Sequence, residues 1–152
     1  MIAVGSRLMK DDGIGLIVAQ ELEKRFHDSE LEITYGETDS EGCFYFLNPD
    51  DFVLILDAMT TGERPGTVKI FSLNELMDQR ADLSMQHDMS FLDLMKLYRC
   101  SIRGYLIGIE ASLIVPGLEL SPALYRQFPE ICRETEDIIR GILSKEAKRK
   151  TE

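Results

Sequence analysis

Two carboxylates and one imidazole are the side chains of this sequence best suited to act together. Asp57 ends the apolar run Phe52-Val53-Leu54-Ile55-Leu56, which places its carboxylate at the rim of a rigid strand. Its ordinary use there is to cap a turn or to pair with Arg64. Asp12 lies in Asp11-Asp12-Gly13-Ile14-Gly15, where an aspartate usually accepts backbone N–H bonds at a helix start and complements the helix dipole. Only one of two adjacent acids can serve as that cap, which leaves the other to face a crevice. His87 is one of two histidines. A lone loop histidine is most often a plain polar residue, and His27, at the polar end of the first helix, is assigned no function. Two carboxylates held close together repel, so either one takes up a proton or a cation compensates them. With an imidazole added, the donors are two oxygens and a nitrogen, a set that suits zinc or nickel and leaves coordination positions for substrate. No local ligand motif such as HExxH is present, so spacing alone does not establish a metal site.

These residues need elements to hold them. Ile2–Val4 reads as a very short first strand and Gly5–Asp12 as a loop. Ile14, Ile17, Val18, Leu22 and Phe26 then mark one apolar face of a helix. Leu31–Tyr35 is a second strand, Gly36–Ser40 a turn, and a short helical or irregular piece runs on to Asn48-Pro49. Phe52–Leu56 is continuously apolar and stopped by Asp57, the pattern of a strand covered on both faces and placed mid-sheet. Thr67–Phe71 is a further strand, while Ser72–Gln86 has no clear pattern. Ser90 and Asp93 resemble a helix start continued by Phe91, Leu94, Met95 and Tyr98. Ile102–Ile109 is another strand, and Ser121-Pro122 opens a helix through Leu124, Phe128, Ile131, Ile138 and Ile142 that Pro129 is expected to break or restart. Strands alternating with helices predict an α/β fold, a three-layer sandwich whose twisted, mostly parallel sheet is flanked by helices on both faces. Ligands of such sheets bind beyond the carboxyl ends of the strands. Asp12, Asp57 and Glu110 fall there, with His87 on a loop or cap.

Composition narrows the function. At 152 residues one domain is expected, over residues 1–144, with 145–152 as a frayed basic tail. Seventeen basic against 27 acidic residues give a formal charge of −10, which speaks against nucleic acid, whose binding needs clustered Lys and Arg. No apolar run approaches the length of a membrane helix, and the start Met1-Ile2-Ala3-Val4-Gly5 lacks the pattern of a secretory signal, so the cytoplasm is the expected compartment. Cys43, Cys100 and Cys132 are odd in number, without CxxC spacing, and are read as buried free thiols. Met77, Met85, Met89 and Met95 are read as core filler or as the lining of a peptide-binding surface. GxGxxG, GK[ST] and GxSxG are all missing, which leaves dinucleotide, P-loop and serine-hydrolase chemistry without support.

The order of short blocks adds a resemblance. Gly5-Ser6-Arg7-Leu8-Met9-Lys10-Asp11-Asp12-Gly13-Ile14-Gly15 resembles the opening GN-x-L-x-x-D-[DE]-G-x-G of the maturation endopeptidases of nickel-iron hydrogenases. Leu56-Asp57-Ala58, Gly62 and Pro65-Gly66-Thr67-Val68 are similar to that family's D-A strand end and PGxV turn, and His87-Asp88-Met89-Ser90 to its H-x-x-S segment. Gly108-Ile109-Glu110 and Gly117-Leu118-Glu119-Leu120-Ser121-Pro122 resemble its late blocks. The blocks cover nearly the whole chain in the family's order. The resemblance implies that Asp12, Asp57 and His87 bind metal. It also implies that the substrate is the precursor of a hydrogenase large subunit, shortened at its C-terminus once nickel is inserted. Nickel held by substrate thiolates would complete its coordination on the enzyme, making cleavage conditional on metal loading. Water activation is left between the nickel itself and Asp12 or Asp57 as general base. The nickel is expected to arrive with the substrate, and a monomer is expected. Ser6 stands where the family has asparagine, Glu37 where a small residue is common, and Ala111 where proline is frequent. Two other readings predict different behaviour: a metal-dependent amidase or aminopeptidase would hold its own metal without substrate, and a non-enzymatic nickel-partner binding domain would not cleave.

Overall fold

The computed structural model describes residues 1–26, 31–78, 93, 95–96 and 102–151. In chain order the elements are β1 (Ile2–Val4), a 3-10 turn (Lys10–Gly13), α1 (Ile14–Glu23), β2 (Thr34–Glu37), α2 (Ser40–Tyr45), β3 (Phe52–Met59), β4 (Val68–Ser72), α3 (Leu73–Asp78), β5 (Arg103–Glu110) and α4 (Pro122–Lys150). The five strands form one sheet in the order β2-β1-β3-β5-β4. All neighbours are parallel except β4, which runs antiparallel to β5. The mostly parallel α/β sheet expected from the sequence is therefore present, with β3 at its centre.

Two-residue alternation splits the core into two layers. Leu54, Leu56 and Ala58 of β3 pack with Ile107 and Ile109 of β5 beneath the apolar stripes of α1 and α4. Val53 and Ile55 point the other way, into a second cluster with Leu73 and Leu76 of α3, the partly buried Cys43 and Phe44 of α2, and the fully buried Met95. Helices thus cover both faces. Gly15 sets how closely α1 can approach, because a Cβ there would lie 2.7 Å from the Leu56 carbonyl oxygen and 3.2 Å from the Asp57 Cα. Gly104 serves β5 likewise, since a Cβ would meet the Val53 carbonyl at 1.8 Å.

Several boundaries differ from expectation for identifiable reasons. β3 does not stop at Asp57: its parallel ladder with β5 continues through Ala58↔Ile109 and Met59↔Glu110, and Asp57, Ala58 and Met59 are all buried along it. β2 starts at Thr34, not Leu31, because β1 offers partners only from Ile2↔Thr34 onward, and Gly36, expected in a turn, is in the strand beside a register shift. Pro129 neither breaks nor restarts α4. It removes one backbone donor, but Leu124 before it and Ile131 and Cys132 after it are buried in the same core layer, which holds both halves in one helix. The basic segment from Lys145, expected to fray, forms the last turns of α4 through Lys150, where the Thr151 hydroxyl donates to the Lys148 carbonyl at 2.7 Å. Apart from Asp93, Met95 and Lys96, which are helical, the helix expected from Ser90 lies outside the described residues.

Candidate functional site

The sheet order defines where a site should form. From β1 the chain moves outward to β2 on one side and to β3 on the other, so the carboxyl ends of β1 and β3 flank the switch point at which α/β sheets open a crevice. Asp12 follows β1 there, and Asp57 lies in β3 two residues past Ile55, the partner of Ile2. Both are almost fully buried, at 5% and 3% exposure. Asp57 Oδ1 accepts from the Ala58 N–H at 2.8 Å. Asp12 Oδ2 accepts from the Ser6 N–H at 2.7 Å.

The loop carrying Asp12 is tightly fixed. Gly5 has φ +132°, and a Cβ there would lie 2.1 Å from the Asp12 carbonyl oxygen, so a larger residue would push the Asp12 turn away. The Ser6 hydroxyl accepts from the Leu8 N–H at 3.3 Å, which supplies loop ordering where the resembled family has an asparagine. Glu37 adopts a left-handed φ of 51°. Its carbonyl accepts from the Gly5 N–H at 2.8 Å, and its carboxylate pairs with Arg7 at 3.3 Å in an exposed ion pair.

The expectation that Asp11 or Asp12 caps α1 is not met. Gly13 is the N-cap residue and supplies no side-chain bond; both acids sit in the 3-10 turn ahead of it. Asp11, with no exposed surface, instead reaches across to the segment between β5 and α4. Its carboxylate accepts from the N–H groups of Ser112 at 3.0 Å, Leu113 at 2.9 Å and Ser121 at 2.7 Å. One acid of the pair is structural, then, but as a clasp between distant segments. Glu110 is similar: 3% exposed at the end of β5, it accepts from the Thr61 and Gly62 N–H groups, both at 3.0 Å, and from the Thr61 hydroxyl at 2.8 Å. It ties down Thr61 and Gly62, in the loop that follows Met59 at the end of β3. Sequence reasoning missed both clasps, and no local signal marks them, because the donors lie 48 to 110 positions away.

His87 lies outside the described residues. Among the described residues, no three histidine, cysteine, aspartate or glutamate side chains gather as a metal site. The two aspartates stand on elements that pack together, the 3-10 turn and β3, and the expected third ligand belongs to the undescribed stretch between α3 and β5. Of the thiols, Cys43 is half-buried and Cys132 fully buried. Burial raises the Cys43 thiol, with Asp39 adding to the effect, and pushes Cys132 up to about 11. Both shifts favour the neutral thiol over a nucleophilic thiolate.

The domain is a mostly parallel α/β sheet that carries two buried carboxylates near its switch point. The hydrogenase maturation protease (HycI) family model matches residues 16–138, a span that contains Asp57 and His87 and starts just after Asp12. A [NiFe] hydrogenase maturation protease, HybD from Thermococcus kodakarensis, is similar at 28% identity and a TM-score of 0.68, over 90% of this chain and 96% of that one. The hydrogenase maturating endopeptidase HybD from E. coli shares the fold, with a TM-score of 0.73 at 20% identity over 92% and 91% of the two chains. A hydrogenase 2 maturation peptidase from Thaumarchaeota archaeon SCGC_AB-539-E09 does so at 0.57 and 22%, over 94% and 96%. No curated protein matches the chain. The chain belongs to the hydrogenase maturation protease family and is an endopeptidase of that kind.

Proposed function

We propose that this endopeptidase removes the C-terminal peptide from a nickel-loaded precursor of a hydrogenase large subunit, and that it recognises the substrate through the nickel itself. One observation supports the nickel reading: Asp12 and Asp57, far apart in sequence, are both buried on elements that pack together after β1 and within β3. Two such carboxylates favour a cation, and a nickel ion already held by substrate thiolates supplies one at the moment of binding. His87 is assigned as the third ligand. The ion arrives as part of the substrate. Binding it fixes the adjacent chain over the crevice, so an empty precursor lacks the contact that orients its scissile bond.

The same reading has the enzyme act as a monomer, which leaves the crevice open to a protein substrate. The free thiols Cys43 and Cys132 suit a reducing compartment, so the cytoplasm is its assigned place of action. Among the described residues no helix is long and apolar enough to cross a membrane.

The test is cleavage of purified precursor, with and without nickel, by wild type and by Asp12→Asn, Asp57→Asn and His87→Ala. Each variant is expected to lose at least about 100-fold in cleavage rate, more than outer-shell changes at metal sites typically cost. Only the loaded precursor should be cut by wild type. Equal cutting of loaded and empty precursor, or full activity in all three variants, would end the proposal.

A further inference from the structure

Next to the Asp12 loop several large apolar side chains are exposed. Leu8 is 66% exposed and Leu118 76%, with Leu113 and Val115 partly exposed at 41% and 37%. Single exposed leucines are ordinary. These four differ in being carried by two segments joined backbone to backbone. The Gly117 N–H donates to the Leu8 carbonyl at 2.8 Å, the Lys10 N–H to the Gly117 carbonyl at 2.9 Å, and the Asp11 N–H to the Leu113 carbonyl at 3.3 Å. The Asp11 carboxylate fastens the same second segment at Ser112, Leu113 and Ser121. Lys10 takes a left-handed φ of 46° where the two segments meet. The patch is therefore preformed, and binding to it costs little ordering.

Its location bears on the reaction. Ser6, whose N–H holds the Asp12 carboxylate, is two residues from Leu8 and accepts the Leu8 N–H on its hydroxyl. Anything seated on Leu8 and Leu118 thus lies beside the loop that holds Asp12. We infer that the Leu8–Leu118 rim is the docking surface for an extended apolar segment of the hydrogenase precursor next to the scissile bond. The inference rests on the proposed function. A protease acting on a protein chain must hold residues flanking the cut, and exposed leucines at this rim favour apolar side chains there, with Lys10 lying against Gly117 between the two segments. Recognition at this surface is then nearly independent of salt, unlike attraction to the acidic body.

The experiment is steady-state cleavage of nickel-loaded precursor by wild type and by the double variant Leu8→Ser/Leu118→Ser, at low and high salt, with sedimentation of both proteins. The double variant is expected to raise KM by about 10- to 100-fold, from the loss of two buried leucine contacts. Its kcat should change less than about threefold, with thermal stability unaltered and the KM defect equal at both salts. Leu8→Met/Leu118→Met should restore KM. A KM within twofold of wild type in the serine variant, while wild type cleaves normally, overturns the docking surface alone. So does a wild-type dimer that the substitution dissociates, which would make the rim a contact between two copies of this chain. No cleavage by wild type overturns the proposed function and this inference with it.

Discussion

Asp11→Ala should destabilise the protein severely and slow cleavage through the clasp alone. The wild-type carboxylate is fully buried and accepts three backbone N–H bonds at 2.7 to 3.0 Å. Bonds to a charged acceptor contribute about 1.5–3 kcal/mol each, and a buried donor left without a partner costs about 1–3 kcal/mol. The Ser121 bond is buried, whereas the Ser112 and Leu113 bonds are part-buried, so water compensates some of their loss. A net cost of about 3–5 kcal/mol follows, a large share of the roughly 5–15 kcal/mol of a typical domain. For a chain of this size that lowers Tm by about 6–20 °C. Asp11→Asn keeps one acceptor oxygen and should recover part of the loss. Urea titration and thermal scans give the stability, and single-turnover cleavage well below each variant's Tm gives the rate, expected to fall at least about 10-fold as the Asp12 turn loosens. Amide exchange should quicken at Ser112, Leu113 and Ser121 before it quickens in β3. An alanine variant within about 1 kcal/mol of wild type, or unchanged protection at those three amides, would refute the clasp.

Three further outcomes follow from the geometry. Gly15→Ala places a methyl 2.7 Å from the Leu56 carbonyl oxygen, so α1 must move off β3 and carry the Asp12 turn away from Asp57; a loss of about 1–3 kcal/mol in urea titrations and a fall in kcat of about 10-fold or more are expected. Glu37→Gly removes a left-handed non-glycine residue at φ 51° and should change stability by less than about 1 kcal/mol, because relief of strain offsets the added freedom of the unfolded chain and the loss of an exposed ion pair. At alkaline pH, burial holds the Cys132 thiol up to about 11 against an ordinary 9.0, and burial with the Glu23 hydrogen bond raises Tyr35 to about 12 against 10.0. A raised folded-state value contributes stability that is complete below the unfolded value and disappears as pH climbs through the folded one. Stability should therefore fall from about pH 9 to 11 with Cys132, and further toward 12 with Tyr35. Cys132→Ala should flatten the first part of that slope in pH-dependent urea melts.

How much of this was legible in the residues depends on the range of each interaction. The run Phe52–Leu56 announced a buried central strand because burial on both faces leaves only apolar choices, and Ser121-Pro122 announced a helix start because capping acts within one turn, as the Ser121 hydroxyl does toward Leu124 at 3.4 Å. The end of β3 was not legible, since what carries the strand past Asp57 is the ladder to β5, some fifty positions later. Continuity of α4 through Pro129 is likewise a property of the sheet beneath it.

The site divides along the same line. Adjacent acids after a first strand mark a place where charge is wanted, but nothing local says which acid faces the crevice. Asp11 and Asp12 differ in what they reach: Asp11 meets amides 101 to 110 residues away and Asp12 the amide of Ser6 beside it. Each clasp acts near a candidate ligand, Asp11 next to Asp12 and Glu110 on the loop that follows the strand carrying Asp57. Two buried acids fix the backbone beside two others, and under the proposed function the ligand set then depends on residues that touch no ion. Substitution at Asp11 or Glu110 should therefore mimic loss of a ligand in cleavage assays while differing from it in stability, and that difference separates the two pairs of carboxylates experimentally.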